Sequence, residues 1–368
     1  MGQGSATQRT SRARNGATQE PQHKKGLRRR ANIKLGTVNI NGLHTNTENG
    51  HTFEKWSEIN ATMRNEGIAI LAVQETHLDE QSTEMIHQAL GKRMTIINSQ
   101  LRDNPRTSAG VAFVLNKDLI STENMEKHEL IKGRAIALKL TWKNEETTLI
   151  NVYAPNRRSD QRSFWEEVEN ERRARRLRKP DFVLGDFNVT EEPIDRIPAR
   201  NDTQGAVAAL REFRLSSNVQ DQWRHLFPKA REYTYRATVN GQQRKSRLDR
   251  IYVSQNKSKH TFDWKIAPSS IPTDHWMVSV KYAPKDAPYI GRGRWTWPLS
   301  ILRDKKVMED VVRRGLTLQE NMNNLRTSPN ERTDSNNPQT MWRAFKLEIT
   351  TKVANEAKIK NYKRQTKI

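Results

Sequence analysis

Between Ala31 and Ala283, short apolar runs of strand length repeatedly end in acidic or amide residues, and helical-period segments separate them. A chain with that alternation must pack helices on sheets. Ile33–Ile40 and Ile68–Gln74 read as buried strands, as does Ala109–Leu115, with its β-branched and aromatic residues after a glycine. Ile136, Leu138, Leu140 and Trp142 alternate with Ala137, Lys139 and Thr141, the period of a half-exposed strand. Leu149–Tyr153, Phe182–Leu184, Arg247–Val253 and His275–Tyr282 complete the set. Phe53, Trp56, Ile59 and Met63 recur on one helical face. Phe164, Trp165 and Val168 do the same in a helix that Ser159 should cap and that ends in a run of cations.

Charge sets the class of partner. The chain of 368 residues carries 64 Lys and Arg against 42 Asp and Glu, a net +22. Such a balance points to nucleic acid before an anionic membrane. Zero cysteines exclude disulfide scaffolds, thiolate metal sites and thiol nucleophiles. No apolar stretch approaches the roughly 20 residues that span a bilayer, and the first thirty lack a signal-peptide core. A soluble, intracellular protein is the expectation, nuclear by its substrate and tail. Hydrophobic content of 34% and a mean hydropathy of −0.92 leave room for tails. Residues 1–30, at +7, read as a disordered basic tail whose run Lys24–Arg30 suits nuclear import, a nucleic-acid patch or plain solvation. Residues 31–283 form the α/β domain. Residues 284–368 hold 18 basic and 9 acidic side chains and read as a helical extension, with helices over Arg303–Gln319 and Met341–Tyr362. In the second, Trp342, Phe345, Ile349 and Val353 form an apolar stripe.

Polar groups just beyond buried strands tend to meet at one rim of a sheet. Here they are Asn39 and Asn41, Glu75, Tyr153, Asp186 with Asn188, Asp249, and Asp274 with His275. Together they offer hard oxygen ligands for Mg²⁺ or Mn²⁺ and a general base. Phosphodiester hydrolysis needs those parts: a metal to polarise the phosphoryl oxygen, a base to orient water, and donors for the developing charge. Each piece has a plainer reading. Asp and Asn are common turn residues, Glu75 suits a helix N-terminus, Tyr153 a sheet edge, and Asp249 a partner for Arg247 or Arg250. All six segments in order on one α/β pattern are harder to assign to chance.

These segments resemble the endonuclease/exonuclease/phosphatase superfamily, which includes deoxyribonuclease I and the exonuclease III-type abasic-site endonucleases. Thr37-Val38-Asn39-Ile40-Asn41-Gly42-Leu43 looks most like the endonuclease domain of LINE-type non-LTR retrotransposons. Repair abasic endonucleases usually have Asp at the place of Asn41. The resemblance covers about residues 31–283. It implies a four-layered α/β sandwich, two mixed sheets packed face to face with helices outside. It implies that Glu75 binds the metal with Asn39 near it, and that Asp274 is a second metal-side or phosphate-orienting acid. Asp186 would orient or deprotonate water. Asn188 and Tyr153 would hold the phosphate. His275, its ring fixed by Asp249, would bind a phosphate oxygen or share proton traffic.

Asn240-Gly241 between strand patterns signals a hairpin. In LINE-type enzymes the similar hairpin lies against target DNA, which implies DNA contacts for Tyr235, Arg236, Arg244, Lys245 and Arg247, and for Asn41. Arg196 is expected to contact phosphate. The plainer alternative is an edge hairpin blunted with charge. Tyr289–Leu299 and Met341–Phe345 resemble the linker that joins endonuclease to reverse transcriptase, yet no Tyr/Phe-Ala-Asp-Asp motif occurs. The chain thus reads as a truncated or split element product, a Mg²⁺-dependent endonuclease nicking one DNA strand to leave a 3′-hydroxyl. A reverse transcriptase or the element's RNA would be further partners. The rivals are an abasic-site repair nuclease, a phosphatase of lipid or inositol substrates, and a non-catalytic nucleic-acid-binding relic.

Overall fold

The computed structural model describes residues 29–42, 51–101, 103, 105–106, 108–290 and 297–365. The basic run up to Arg28, Leu43 of the first motif, and residues 291–296 of the linker-like segment lie outside them. The chain divides into two compact units between Tyr289 and Ile290.

The first unit holds two six-stranded sheets. Its strands are β1 (Ile33–Asn39), β2 (Ile68–Gln74), β3 (Met94–Ser99), β4 (Val111–Asn116), β5 (Glu126–Ile131), β6 (Ala135–Trp142), β7 (Glu145–Tyr153), β8 (Phe182–Asp186), β9 (Arg196–Ile197), β10 (Val219–Gln220), β11 (Tyr235–Val239), β12 (Gln242–Ser246), β13 (Asp249–Ser254), β14 (Thr261–Ala267) and β15 (Met277–Tyr282). One sheet runs β14-β15-β1-β2-β4-β3 and the other β10-β13-β8-β7-β6-β5. In each, one central pair is parallel, β1 with β2 and β7 with β8, and the remaining neighbours are antiparallel.

Three apolar layers make the sandwich. Leu35, Ile70, Phe113, Leu138, Leu149 and Leu184 fill the space between the sheets. Helices α1 (His51–Glu66) and α2 (Glu80–Leu90) cover the first sheet through Trp56, Ile59, Met63 and Ile86. Helices α3 (Gln161–Ala174) and α4 (Gln204–Ser217) cover the second through Phe164, Trp165, Val168, Leu210 and Phe213. Helix, sheet, sheet, helix is the four-layered architecture expected above.

Three local expectations change. Strand β6 is not half-exposed over its first half: Ala137 is buried too, because α3 covers the face the alternation assigns to water. Ser159 does not cap α3; it sits in a single 3₁₀ turn, Arg158–Asp160, and its hydroxyl binds Asp160. Phe53 is exposed, so the buried face of α1 begins at Trp56. Edge strands β3, β5 and β14 escape the apolar-run criterion because each presents polar residues to solvent.

The second unit consists of α5 (Leu299–Leu302), α6 (Lys305–Thr327) and α7 (Pro338–Gln365). Ile301, Val307 and Val353 form its small core. Within the α7 stripe, Val353 is buried while Trp342 is about half exposed and stacks on Phe345.

Candidate active site

Parallel strands end at the same rim, so the two parallel pairs bring four strand ends together. Asn39 closes β1 and pairs with Gln74, the residue before Glu75. Tyr153 closes β7, in register with Asp186 at the end of β8. Antiparallel β13 starts at that rim, so its first residue, Asp249, stands opposite Asp186. The loop before β15 supplies Asp274 and His275.

The side chains meet across the sheets. The Asn39 amide nitrogen donates to Glu75 Oε1 at 2.8 Å and to Asp186 Oδ2 at 3.0 Å, while its oxygen accepts from the Asn41 amide at 2.8 Å. Asp186 Oδ1 accepts from the Asn188 amide at 2.9 Å, and the Asn188 side chain donates to the Ala154 carbonyl at 2.9 Å. His275 Nδ1 lies 2.8 Å from Asp249 Oδ2, which leaves Nε2 to face a ligand. Asn41 reaches Asp274 at 3.3 Å. Asp274 is exposed, whereas Asp186, Asp249 and His275 are buried.

The backbone here is held in an uncommon conformation. Asn41, Glu75, His77 and Asn188 all have φ between 44° and 53°. Such residues cost about 1–3 kcal/mol each and persist where the surroundings over-determine them, commonly at functional sites. Gly185 enters Asp186 with φ 144°, and a Cβ there would lie 2.0 Å from the Val152 carbonyl. Only glycine lets β7 and β8 approach at the rim.

Electrostatics separate the titratable groups. Burial, then the neighbouring Asp249 charge, push the Asp186 carboxyl up to about 7. Burial works against the His275 imidazolium, but Asp249, Asp186 and Asp274 outweigh it and raise the group to about 9. Burial and the nearby Glu75 charge drive the Tyr153 phenol far above its ordinary range, so it remains a donor.

A hard divalent cation fits this donor set. Asp186, Asp249 and His275 bring ligand atoms within 4.8 Å of one another. Asp249 Oδ1 is buried without a hydrogen-bond partner, an orphan of the kind a cation or its water would satisfy. Asp249 Oδ2 and His275 Nδ1 are spent on each other and each Asp186 oxygen accepts one hydrogen bond, so the remaining carboxylate lone pairs of Glu75, Asp186 and Asp249 are the candidate ligands. Asn39, with both ends of its amide engaged, orients carboxylates. Asp274 lies outside the buried cluster.

A three-stranded sheet, β9-β12-β11, projects from this rim. Asn240 and Gly241 turn the β11–β12 hairpin with φ of 51° and 74°, as a two-residue hairpin loop requires. Its root touches the site. Tyr235 bridges to His275, with ring centroids 4.9 Å apart, and the Arg236 guanidinium sits 3.6 Å over the Trp276 ring. Arg236 and Arg244 are exposed and Lys245 partly so.

One expected DNA contact is corrected, and a second is engaged within the protein. Arg247 is 2% exposed and bonds both oxygens of Asp195, at 2.7 and 2.9 Å, and Asp221 at 2.7 Å. It is a buried structural ion and cannot reach DNA. Arg196 turns inward to Asp202 at 2.6 Å and Thr190 at 3.3 Å, and it shares Asp202 with Arg158. Sequence reasoning also missed three supports. Lys55 on α1 donates to the Ile40 carbonyl at 2.6 Å. Thr273 Oγ1 donates to the Asn39 carbonyl at 2.8 Å. Thr234 Oγ1 accepts from the Leu248 and Asp249 amides at 3.0 Å each. Thr234 stood beside Tyr235 in the hairpin motif, but nothing local says which backbone its hydroxyl meets.

The model of the Endonuclease/Exonuclease/phosphatase family matches residues 36–275. This chain belongs to that family. It is 26% identical over 283 residues to the transposon TX1 uncharacterized 149 kDa protein of Xenopus laevis, a match covering 76% of this chain. The chain spans about a fifth (20%) of that relative's length. Among solved structures it is similar to the endonuclease domain of TRAS1, a telomere-specific non-LTR retrotransposon. There the TM-score is 0.50 and the identity 12%, over 69% of this chain and 99% of that one. It is also similar to the AP endonuclease LMAP of Leishmania major, with a TM-score of 0.56 and 18% identity over 69% of this chain and 88% of that one. The two mixed sheets with outer helices are the fold of these deoxyribonuclease I-like enzymes. No helix among the described residues is long and apolar enough to cross a membrane.

Proposed function

We propose that this chain is a DNA endonuclease of non-LTR retrotransposon descent that nicks one strand and leaves a 3′-hydroxyl. The observation that carries the reading is the bridge made by Asn39, one amide nitrogen holding Glu75 and Asp186 together beside the His275–Asp249 pair. Residues 31–283 would be the nuclease and 284–368 its basic helical extension.

Each group has a task its surroundings suit. Asp186 orients the attacking water and takes its proton. Asn188, pinned by Ala154, helps place that water and the phosphate. His275, charged and steered by Asp249, donates from Nε2 to a phosphate oxygen. Tyr153, kept protonated, adds a second donor. When bound by the Glu75, Asp186 and Asp249 oxygens, Mg²⁺ or Mn²⁺ supplies polarisation of the phosphoryl oxygen and neutralises charge on the leaving oxygen. The exposed cations of the β11–β12 hairpin, rooted on His275 and Trp276, lie along the DNA.

The test is conversion of supercoiled plasmid to open circle in Mg²⁺, with and without EDTA, beside Asp186→Ala and His275→Ala. Nicking by the parent alone, abolished by EDTA, is expected. A folded parent that retards DNA but nicks nothing in Mg²⁺ or Mn²⁺ would leave a nucleic-acid-binding relic. Cleavage restricted to abasic duplex would make it a repair-type enzyme, against which Asn41 stands.

A further inference from the structure

The rim is built from both sheets, Asn39 and Glu75 from one and Tyr153, Asp186 and Asp249 from the other. An apolar layer between sheets is non-directional and does not by itself set how one sheet sits over the other. One layer short of the rim, that interface turns polar. Thr37, Gln74 and Asn151, each 0% exposed, point into it from β1, β2 and β7. Gln74 Nε2 donates to Asn151 Oδ1 at 2.7 Å and to Thr37 Oγ1 at 3.1 Å. Asn151 Nδ2 donates across to the carbonyls of Val73 at 3.1 Å and Ala112 at 2.8 Å, on paired strands β2 and β4. Along β1 and β7 the next inward residue toward the rim belongs to the site, Asn39 after Thr37 and Tyr153 after Asn151, and Glu75 follows Gln74 directly at the end of β2.

We propose that Thr37, Gln74 and Asn151 form a polar register lock between the sheets that positions the two halves of the catalytic rim. Hydrogen bonds are directional and lose strength steeply off axis, so the lock holds the 3.0 Å Asn39–Asp186 contact between sheets. A buried polar cluster costs more to break than to replace whole by apolar groups. Stability alone would therefore be met equally well by hydrocarbon at these three places. The proposal rests on the reading of this rim as the nuclease site.

The test separates stability from registration. Asn151→Leu alone should lower Tm and the nicking rate. The triple variant Thr37→Val/Gln74→Met/Asn151→Leu should recover most of the lost Tm but stay at least about tenfold down in kcat with KM unchanged. Its crystal structure should show Asn39 Nδ2 and Asp186 Oδ2 beyond hydrogen-bond distance. Parent-like kcat, or an intact Asn39–Asp186 contact, overturns the lock. If the triple variant does not fold, Thr37→Val should lower kcat several-fold and Thr37→Ser restore it; a parent rate in Thr37→Val overturns the proposal. A parent protein inert as a nuclease would sink the functional reading, while the crystal structure of the variant still decides the lock.

Discussion

His275 Nδ1 and Asp249 Oδ2 lie 2.8 Å apart in a buried pair, with Asp186 facing Asp249 across the β8–β13 register. The folded imidazole is raised to about 9, burial being outweighed by Asp249, Asp186 and Asp274. A raised value means that the pair's stabilisation is complete below the ordinary histidine value of about 6.5 and is lost as pH rises through about 9. In metal-free protein, ¹H–¹⁵N correlation spectra should place the His275 midpoint near 9, and Asp249→Asn should bring it down. A midpoint at the ordinary value would break the proposed role of Asp249.

Nicking should be bell-shaped in pH. The acid limb belongs to Asp186 and should lie at or below about 7, because a bound cation favours the charged carboxylate. The alkaline limb, near 9, follows loss of the His275 proton. Asp186→Ala should cut nicking by about 10²–10⁴-fold while gel retardation of DNA is retained. Loss of both in a folded variant would mean that Asp186 serves binding.

Arg247 and Arg244 sit three residues apart and should behave oppositely. Arg247→Met takes the shared cation from buried Asp195 and Asp221, leaving Asp195 with Arg224 and Arg250, and should cost about 3 kcal/mol in a denaturant titration. Arg244→Ala should leave stability unchanged and reduce the slope of log affinity against log salt by about 1. An unchanged salt slope in Arg244→Ala would remove the hairpin from the DNA interface.

Gly185→Ala places a methyl group against the Val152 carbonyl and demands φ of 144° from a residue with a side chain. The two penalties together should cost about 3 kcal/mol or more, read as a lower Tm and lost nicking. A variant as stable as the parent would show that the β7–β8 rim can open.

Much of the site was legible because a strand end is a local event. An apolar run followed by Asn39, Glu75, Tyr153 or Asp186 announces its own boundary, and parallel neighbours must end on one side. The hairpin was equally local, since Asn240-Gly241 carries its own backbone preference. The edge strands were not, because their polar faces mimic loops. Nor was the inner face of the lock, although Leu35-Thr37-Asn39, Ile70-Ala72-Gln74 and Leu149-Asn151-Tyr153 do share the pleat period.

By itself the amino-acid order determined the α/β class, the family, the rim residues and the basic character of the surface, each of which rests on short-range periodicity or on summed charge. Only the tertiary structure decided which cations meet solvent. Arg244 and Arg247 are chemically identical and near neighbours, yet one is exposed while the other closes on Asp195, 52 residues away in the chain. It also decided that Ala137 is buried, and that one amide of Asn39 joins carboxylates from two sheets. Burial and hydrogen bonding are properties of what packs opposite a residue, and the chain brings that partner from far away only when it folds.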